Sequence, residues 1–128
     1  MKRKLIAVKQ FHKAFGLGMR TVPKADLGLS KIELRYRLME EENREYLQAA
    51  KDNDLVEVAD ALGDMLYILC GTILEHGMQD KIEAVFEEIQ RSNMSKLGLD
   101  GKPIYREDGK VLKGPEYFKP DIQTILDR

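Results

Sequence analysis

The sequence is short of several things, and each shortage removes a class of answers. A single cysteine, Cys70, has no partner for an intrachain disulfide, so nothing demands an oxidising compartment. Lysine plus arginine number 21 against 22 aspartates and glutamates, a formal charge of −1. That balance argues against a dedicated nucleic-acid binder, which carries a basic excess. No apolar run is long enough to cross a bilayer, so no membrane partner is expected. The stretch after Met1-Lys2-Arg3-Lys4 is too short and mixed for a signal peptide, and a cytoplasmic location is the default expectation. Only two histidines occur, His12 and His76, and neither completes the Glu-x-x-His pair of a di-iron carboxylate bundle. No serine, cysteine or histidine is arranged as a nucleophile. Repeats and low-complexity tracts are missing too.

What is present suits one all-α domain spanning residues 1–128, with 43% hydrophobic and 34% charged residues. A first helix is expected from Lys2 to about Phe15, before Gly16 and Gly18, followed by a linker broken by Pro23 and Gly28. Ser30-Lys31-Ile32-Glu33 reads as a capping box opening a helix to about Lys51. Asp54-Leu55-Val56-Glu57 is a second cap signal, for a helix ending near His76 with Gly77 as its left-handed stop. Asp80-Lys81-Ile82-Glu83 is a third, for a helix running toward Lys96. From Gly98 to Pro120 the glycines and prolines predict an ordered loop or small hairpin, and a short helix is expected near Asp121. Short connections make neighbouring helices antiparallel, which points to a helical bundle over about 1–97 with a C-terminal arm over about 98–128.

The helix from Asp54 to His76 is apolar nearly all round and is expected at the centre of the assembly. It nevertheless carries Glu57, Asp60 and Asp64 at i, i+3 and i+7, on one side. Unpaired buried carboxylates cost several kcal/mol, roughly, and repel one another, so a cation is required there. The preceding helix has an inward stripe through Leu34 and Leu38 that continues to Glu41, Glu42 and Glu45. Counted outward from a turn at Asn53, Glu45 is level with Asp60 and Glu42 with Asp64, roughly 12–17 Å along the helices. Oxygen-rich sets of this kind suit hard divalent ions. The plain alternative for Glu40-Glu41-Glu42 is a solvated helix face paired locally with Arg35, Arg37 or Arg44.

At these residues the chain resembles the MazG-like, all-α nucleoside-triphosphate pyrophosphohydrolases. Glu41-Glu42-Asn43-Arg44-Glu45 matches their Glu-Glu-x-x-Glu element, and Glu57-Val58-Ala59-Asp60 matches their Glu-x-x-Asp element. Phe11 to Gly16, Arg91 to Lys96 and the Gly101-Lys102-Pro103 arm are similar to a branch labelled phosphoribosyl-ATP pyrophosphohydrolase-like. The resemblance implies a four-helix core completed in a homodimer or homotetramer. It implies Mg²⁺, with Mn²⁺ as a substitute, at Glu41, Glu42, Glu45, Glu57 and Asp60, with Asp64 one turn outside the motif. The reaction it implies is hydrolysis of a nucleotide, a dNTP or non-standard base among the options, to monophosphate and pyrophosphate. The alternatives are phosphoribosyl-ATP itself as substrate, or a non-catalytic metal-binding bundle.

A triphosphate needs cations to enter such a site, and a carboxylate left over from ligation can take a proton from the attacking water. Glu41 or Glu42 is the expected base. Asn93 and Lys96, at i and i+3, share a helix face and are expected to contact phosphate or sugar, whereas Arg91 and Lys96 do not share an ideal face. Lys102 and Arg106 on the arm are further candidates for the substrate, the arm acting either as a lid or as packing for a neighbouring subunit. Phe11, His12 and Phe15 could stack on a base, but at i, i+4 the two phenylalanines are more simply core. Cys70 and Met65 are expected in the core.

Overall fold

A computed structural model describes all of residues 1–128. In chain order it contains α1 (Lys2–Ala14), α2 (Leu29–Lys51), α3 (Leu55–Glu75), α4 (Ile82–Met94), β1 (Ile104–Tyr105), β2 (Val111–Leu112) and α5 (Ile122–Leu126). The chain divides into two compact units, Met1–Asp80 and Lys81–Arg128. The protein is therefore mostly helical, with one two-stranded antiparallel ladder as its only sheet. None of its helices is long and apolar enough to cross a membrane.

In the first unit α3 packs against both α1 and α2. Its core joins Leu5 and Val8 of α1, Ala49 of α2, and Ala61, Cys70, Ile73 and Leu74 of α3. The α2–α3 connection is tight: Asn53 takes φ 53°, a left-handed conformation that asparagine tolerates better than most residues. Asp54 then caps α3, its carboxylate accepting the Glu57 N–H at 3.1 Å. At the far end Gly77 has φ 70° and the chain leaves the helix there. The α1–α2 linker folds back over this end: Arg20 N–H donates to the Leu74 carbonyl and Lys24 N–H to the His76 carbonyl.

Two of the three cap signals do not act as read. The helix α2 begins at Leu29 behind Gly28, and no side chain caps it; Ser30 already lies inside the first turn. Gly28, whose own N–H is taken by Asp26, reaches φ 87° and turns the chain before serine can serve. Likewise α4 starts behind Lys81 with no side-chain cap, so Asp80 does not play that part. The helix also stops at Met94 rather than Lys96, where Ser95 Oγ bonds back to the Ser92 carbonyl at 2.6 Å.

A single chain leaves part of α3 uncovered: Leu55 is 80% exposed, Val56 76% and Leu62 48%. In the first unit α1 and α2 pack on it, and two neighbours cannot surround a helix apolar around most of its circumference. Phe11 and Phe15, expected in the core, are exposed as well, whereas Cys70 is fully buried and Met65 half-buried.

In the second unit the arm is tied to the end of α4. Ser92 Oγ donates to the Phe118 carbonyl at 2.8 Å, Phe118 N–H donates to Ser95 Oγ at 3.2 Å, and Gly114 N–H donates to the Lys96 carbonyl at 2.8 Å. The hairpin pairs Ile104 with Leu112 and Tyr105 with Val111. Asp121 caps α5, accepting from Thr124 N–H.

Candidate functional site

The α2–α3 hairpin brings carboxylates of the two helices together. Glu42 of α2 is half-buried, and its Oε2 is shut away from solvent with no hydrogen-bond partner. Its carboxyl is pushed up to about 7, first by burial, then by a hydrogen bond with Glu45 and by the negative charges of Glu45, Asp64 and Asp60. Glu42, Glu45, Asp60 and Asp64 thus form one acidic face. No three of these groups close into a ready ligating cluster.

The expectation of buried carboxylates on α3 is corrected: Glu57, Asp60 and Asp64 are all exposed, as are Glu41 and Glu45, and Glu42 alone of the expected set is half-buried; Glu41 and Glu57 are not among the charges acting on it. Glu40 turns elsewhere: it accepts from Arg44 at 2.7 Å and from the Tyr36 hydroxyl at 3.0 Å. The local pairing expected of an acidic helix run therefore holds for Glu40 and not for Glu42.

The four-carboxylate face fits a hard divalent cation on two observations. Its donors are all oxygens, and one of them is a buried carboxylate oxygen without a protein donor.

A second polar group lies further along α3, and sequence reasoning missed it. Glu75 is buried, with Lys31 Nζ and Arg35 Nε each 3.9 Å from its carboxylate and Oε2 lacking a hydrogen-bond partner. Arg35 is held by Thr72 Oγ1 at 3.0 Å and by the Ile68 carbonyl at 2.8 Å; burial lowers its pKa and Glu75 partly restores it. His12 is buried beside it, its Nδ1 2.9 Å from the Gly18 carbonyl. Gly71 makes room for both, because a Cβ there would come within 2.6 Å of Arg35 Nη2 and 2.8 Å of His12 Nε2. The one available signal was Gly71 itself, a glycine in the bulky apolar half of α3 after Gly63.

The residues expected to grip phosphate all fall in the second unit. Arg91 is engaged locally: Nε and Nη2 donate to Glu88 at 3.0 Å each, and the guanidinium sits 4.3 Å from the Phe118 ring centroid. Those bonds hold the Glu88 carboxyl below its ordinary range and raise the Arg91 pKa. Arg106 pairs with Asp108 two residues on, which likewise raises its pKa. Asn93 and Lys102 are exposed, and Lys96 is half-buried just past the end of α4.

Comparison with known proteins agrees with this architecture. A curated relative, an uncharacterised protein of Acanthamoeba polyphaga mimivirus, is 31% identical over 94% of this chain. The match takes in 51% of that protein, so the chain spans about half the length of the curated relative it matches. A crystal structure of a protein from Exiguobacterium sp. 255-15, named as a candidate NTP pyrophosphohydrolase, is 28% identical. It covers 98% of this chain and 94% of its own, with a TM-score of 0.55. The profile of the family described as phosphoribosyl-ATP pyrophosphohydrolase matches residues 8–93, a stretch that contains α2, α3 and every carboxylate of the acidic face. The chain belongs to that family, among the MazG-like all-α NTP pyrophosphohydrolases.

Proposed function

We propose that this protein hydrolyses a nucleoside triphosphate to the monophosphate and pyrophosphate, with Mg²⁺ as its cofactor and Mn²⁺ as a substitute. The observation that carries the reading is Glu42, a carboxylate enclosed by three others with one oxygen unpartnered. A protein does not keep such a group for stability alone, since an apolar side chain would pack there at lower cost.

Glu42, Glu45, Asp60 and Asp64 would hold the ion, with Glu41 and Glu57 at the edge of the set. A divalent ion bound there supplies neutralisation of phosphate charge and polarisation of the phosphorus under attack. The protein's own part is to place a carboxylate left over from ligation beside the attacking water, where it takes the proton. Glu42 is one candidate for that role, in which case Glu45, Asp60 and Asp64 would hold the ion without it. Glu41, next to it and exposed, is the second candidate. Asn93, Lys96, Lys102, Arg91 and Arg106 are proposed as contacts for phosphate and sugar, the last two after release from Glu88 and Asp108. The uncovered apolar flank of α3 is proposed to be closed in a homodimer or homotetramer. The reading places the enzyme in the cytoplasm, as one that clears unwanted nucleotides from the pool. Phosphoribosyl-ATP is the second substrate reading, favoured by the description of the matching family.

The test is pyrophosphate release from ribo- and deoxyribonucleoside triphosphates and from phosphoribosyl-ATP, with Mg²⁺ and with a chelator, beside Asp60→Asn. Metal-dependent release that Asp60→Asn abolishes is the expected outcome, and the preferred nucleotide names the substrate. Release that persists in the chelator, or in the variant, would sink the assignment of the acidic face.

A further inference from the structure

The stripe of α3 that bears Asp60 and Asp64 continues into an aromatic residue. Tyr67 stands one turn beyond Asp64, at i+3, and two turns beyond Asp60, at i+7, so its ring leaves the helix on the same side. The ring is 42% exposed rather than packed away. Its neighbour across the helix pair is Phe11 of α1, with centroids 5.6 Å apart and planes at 89°. Phe11 in turn lies 4.4 Å from Phe15, with the planes tilted by 34°. Two helices thus gather three partly exposed rings, of which Tyr67 stands on the stripe of α3 that carries Asp60 and Asp64. Beside Tyr67, α1 and α3 part to leave a cavity of about 210 Å³, lined by Lys4, Val8, Gly63, Leu66, Tyr67 and Cys70. Gly63 keeps it open, since the space next to its Cα is free for at least 4 Å.

We propose that this groove, with Tyr67 as its wall, takes the nucleobase of the substrate. The inference rests on the reading of the acidic face as the phosphate end. A nucleobase is a flat ring whose faces shed water onto aromatic side chains, and it sits a sugar's length from its own phosphates. Three residues, about 4.5 Å of rise, separate the level of Tyr67 from that of Asp64, which suits a nucleotide laid along α3. The lining is apolar except at its rim, where Lys4 offers a donor to a ring carbonyl oxygen. Continuity with the carboxylates is what selects a nucleotide over a second copy of the chain as occupant.

The variants to compare are Tyr67→Ala, Tyr67→Phe and Gly63→Leu, the last filling the groove. For each, KM and kcat are measured with nucleotide, and the inhibition constant with inorganic tripolyphosphate, which has phosphates and no base. Tyr67→Ala and Gly63→Leu should raise the nucleotide KM roughly tenfold with kcat nearly unchanged, while tripolyphosphate inhibits as before. Tyr67→Phe should stay close to the parent protein. An unchanged KM, an equal shift for tripolyphosphate, or an effect of Tyr67→Ala confined to the mass in sedimentation would overturn the proposal. Saturation transfer from the tyrosine ring to a nucleoside monophosphate separates the two readings if the parent protein releases no pyrophosphate. Transfer that persists in Tyr67→Phe and is lost in Tyr67→Ala supports the groove; no transfer in the parent, or undiminished transfer in Tyr67→Ala, refutes it.

Discussion

Glu42→Gln should make the metal-free protein more stable at pH 8 and useless as an enzyme. Glu42 is raised from the 4.5 of an ordinary glutamate to about 7. The sign follows from proton counts. Below about 4.5 the carboxyl is protonated in both folded and unfolded chains, and it contributes no pH dependence. Between 4.5 and 7 the unfolded chain gives up its proton first, so stability falls as pH rises through that window, and above 7 the loss is complete. The difference between 4.5 and about 7 corresponds to a ceiling of about 3 kcal/mol. Solvent reaches the rest of this half-buried side chain and screens the charges, which brings the expected loss to on the order of 1 kcal/mol. Glutamine has the same shape and no charge to lose, so with a chelator present Glu42→Gln should gain about 1 kcal/mol at pH 8, or roughly 4 °C in Tm, and nearly nothing at pH 4.5. Addition of Mg²⁺ should invert the order, because only the parent gains the linkage free energy of a bound ion, about 2.7 kcal/mol at a hundredfold excess over Kd. Thermal unfolding at the two pH values, with chelator and with Mg²⁺, reads all four numbers. A variant that is less stable at pH 8, or equally shifted at both pH values, would refute the account of Glu42.

Three further outcomes are expected. Gly71→Ala should cost about 1–3 kcal/mol, because Arg35 and His12 are each held by other bonds and cannot easily retreat from the new methyl; an unmoved urea midpoint would show that they can. Asp54→Ala should lose about 1 kcal/mol with the α3 cap, and Asp54→Asn much less, as thermal unfolding would report. Lys96→Ala should raise the nucleotide KM and spare kcat; its link to Gly114 runs through the backbone carbonyl and survives the change, so an unaltered KM would assign the side chain to structure.

The residues most legible in the sequence were those whose effect is local. Asp54 caps α3 by accepting from Glu57 three residues on, Gly77 adopts the left-handed stop, and the glycine- and proline-rich stretch after Leu97 contains a hairpin. The acidic spacing on α3 was equally plain, since a helix converts i and i+4 into one face. What the sequence hid was long-range. Whether Ser30 caps depends on Gly28 turning one residue earlier, and whether α3 is covered depends on how many neighbours the fold supplies. His12 and Glu75 gave no local sign of burial, because their partners lie outside their own helices, the Gly18 carbonyl in the linker and Arg35 on α2. Among the four glutamates in the run, only packing distinguishes Glu42, turned toward Asp64 and Asp60, from Glu40, turned toward Arg44.

The tight turn at Asn53 has a bearing on how the acidic face comes into being. All four of its carboxylates lie between residues 42 and 64, on the two arms of one hairpin. Contacts so close along the chain form quickly, and they need neither terminus in place. A growing polypeptide therefore assembles this acidic face without waiting for the residues of the second unit. A single residue inserted in α3 between Asp60 and Asp64 would swing one of these carboxylates about 100° round the helix from the other and scatter the set.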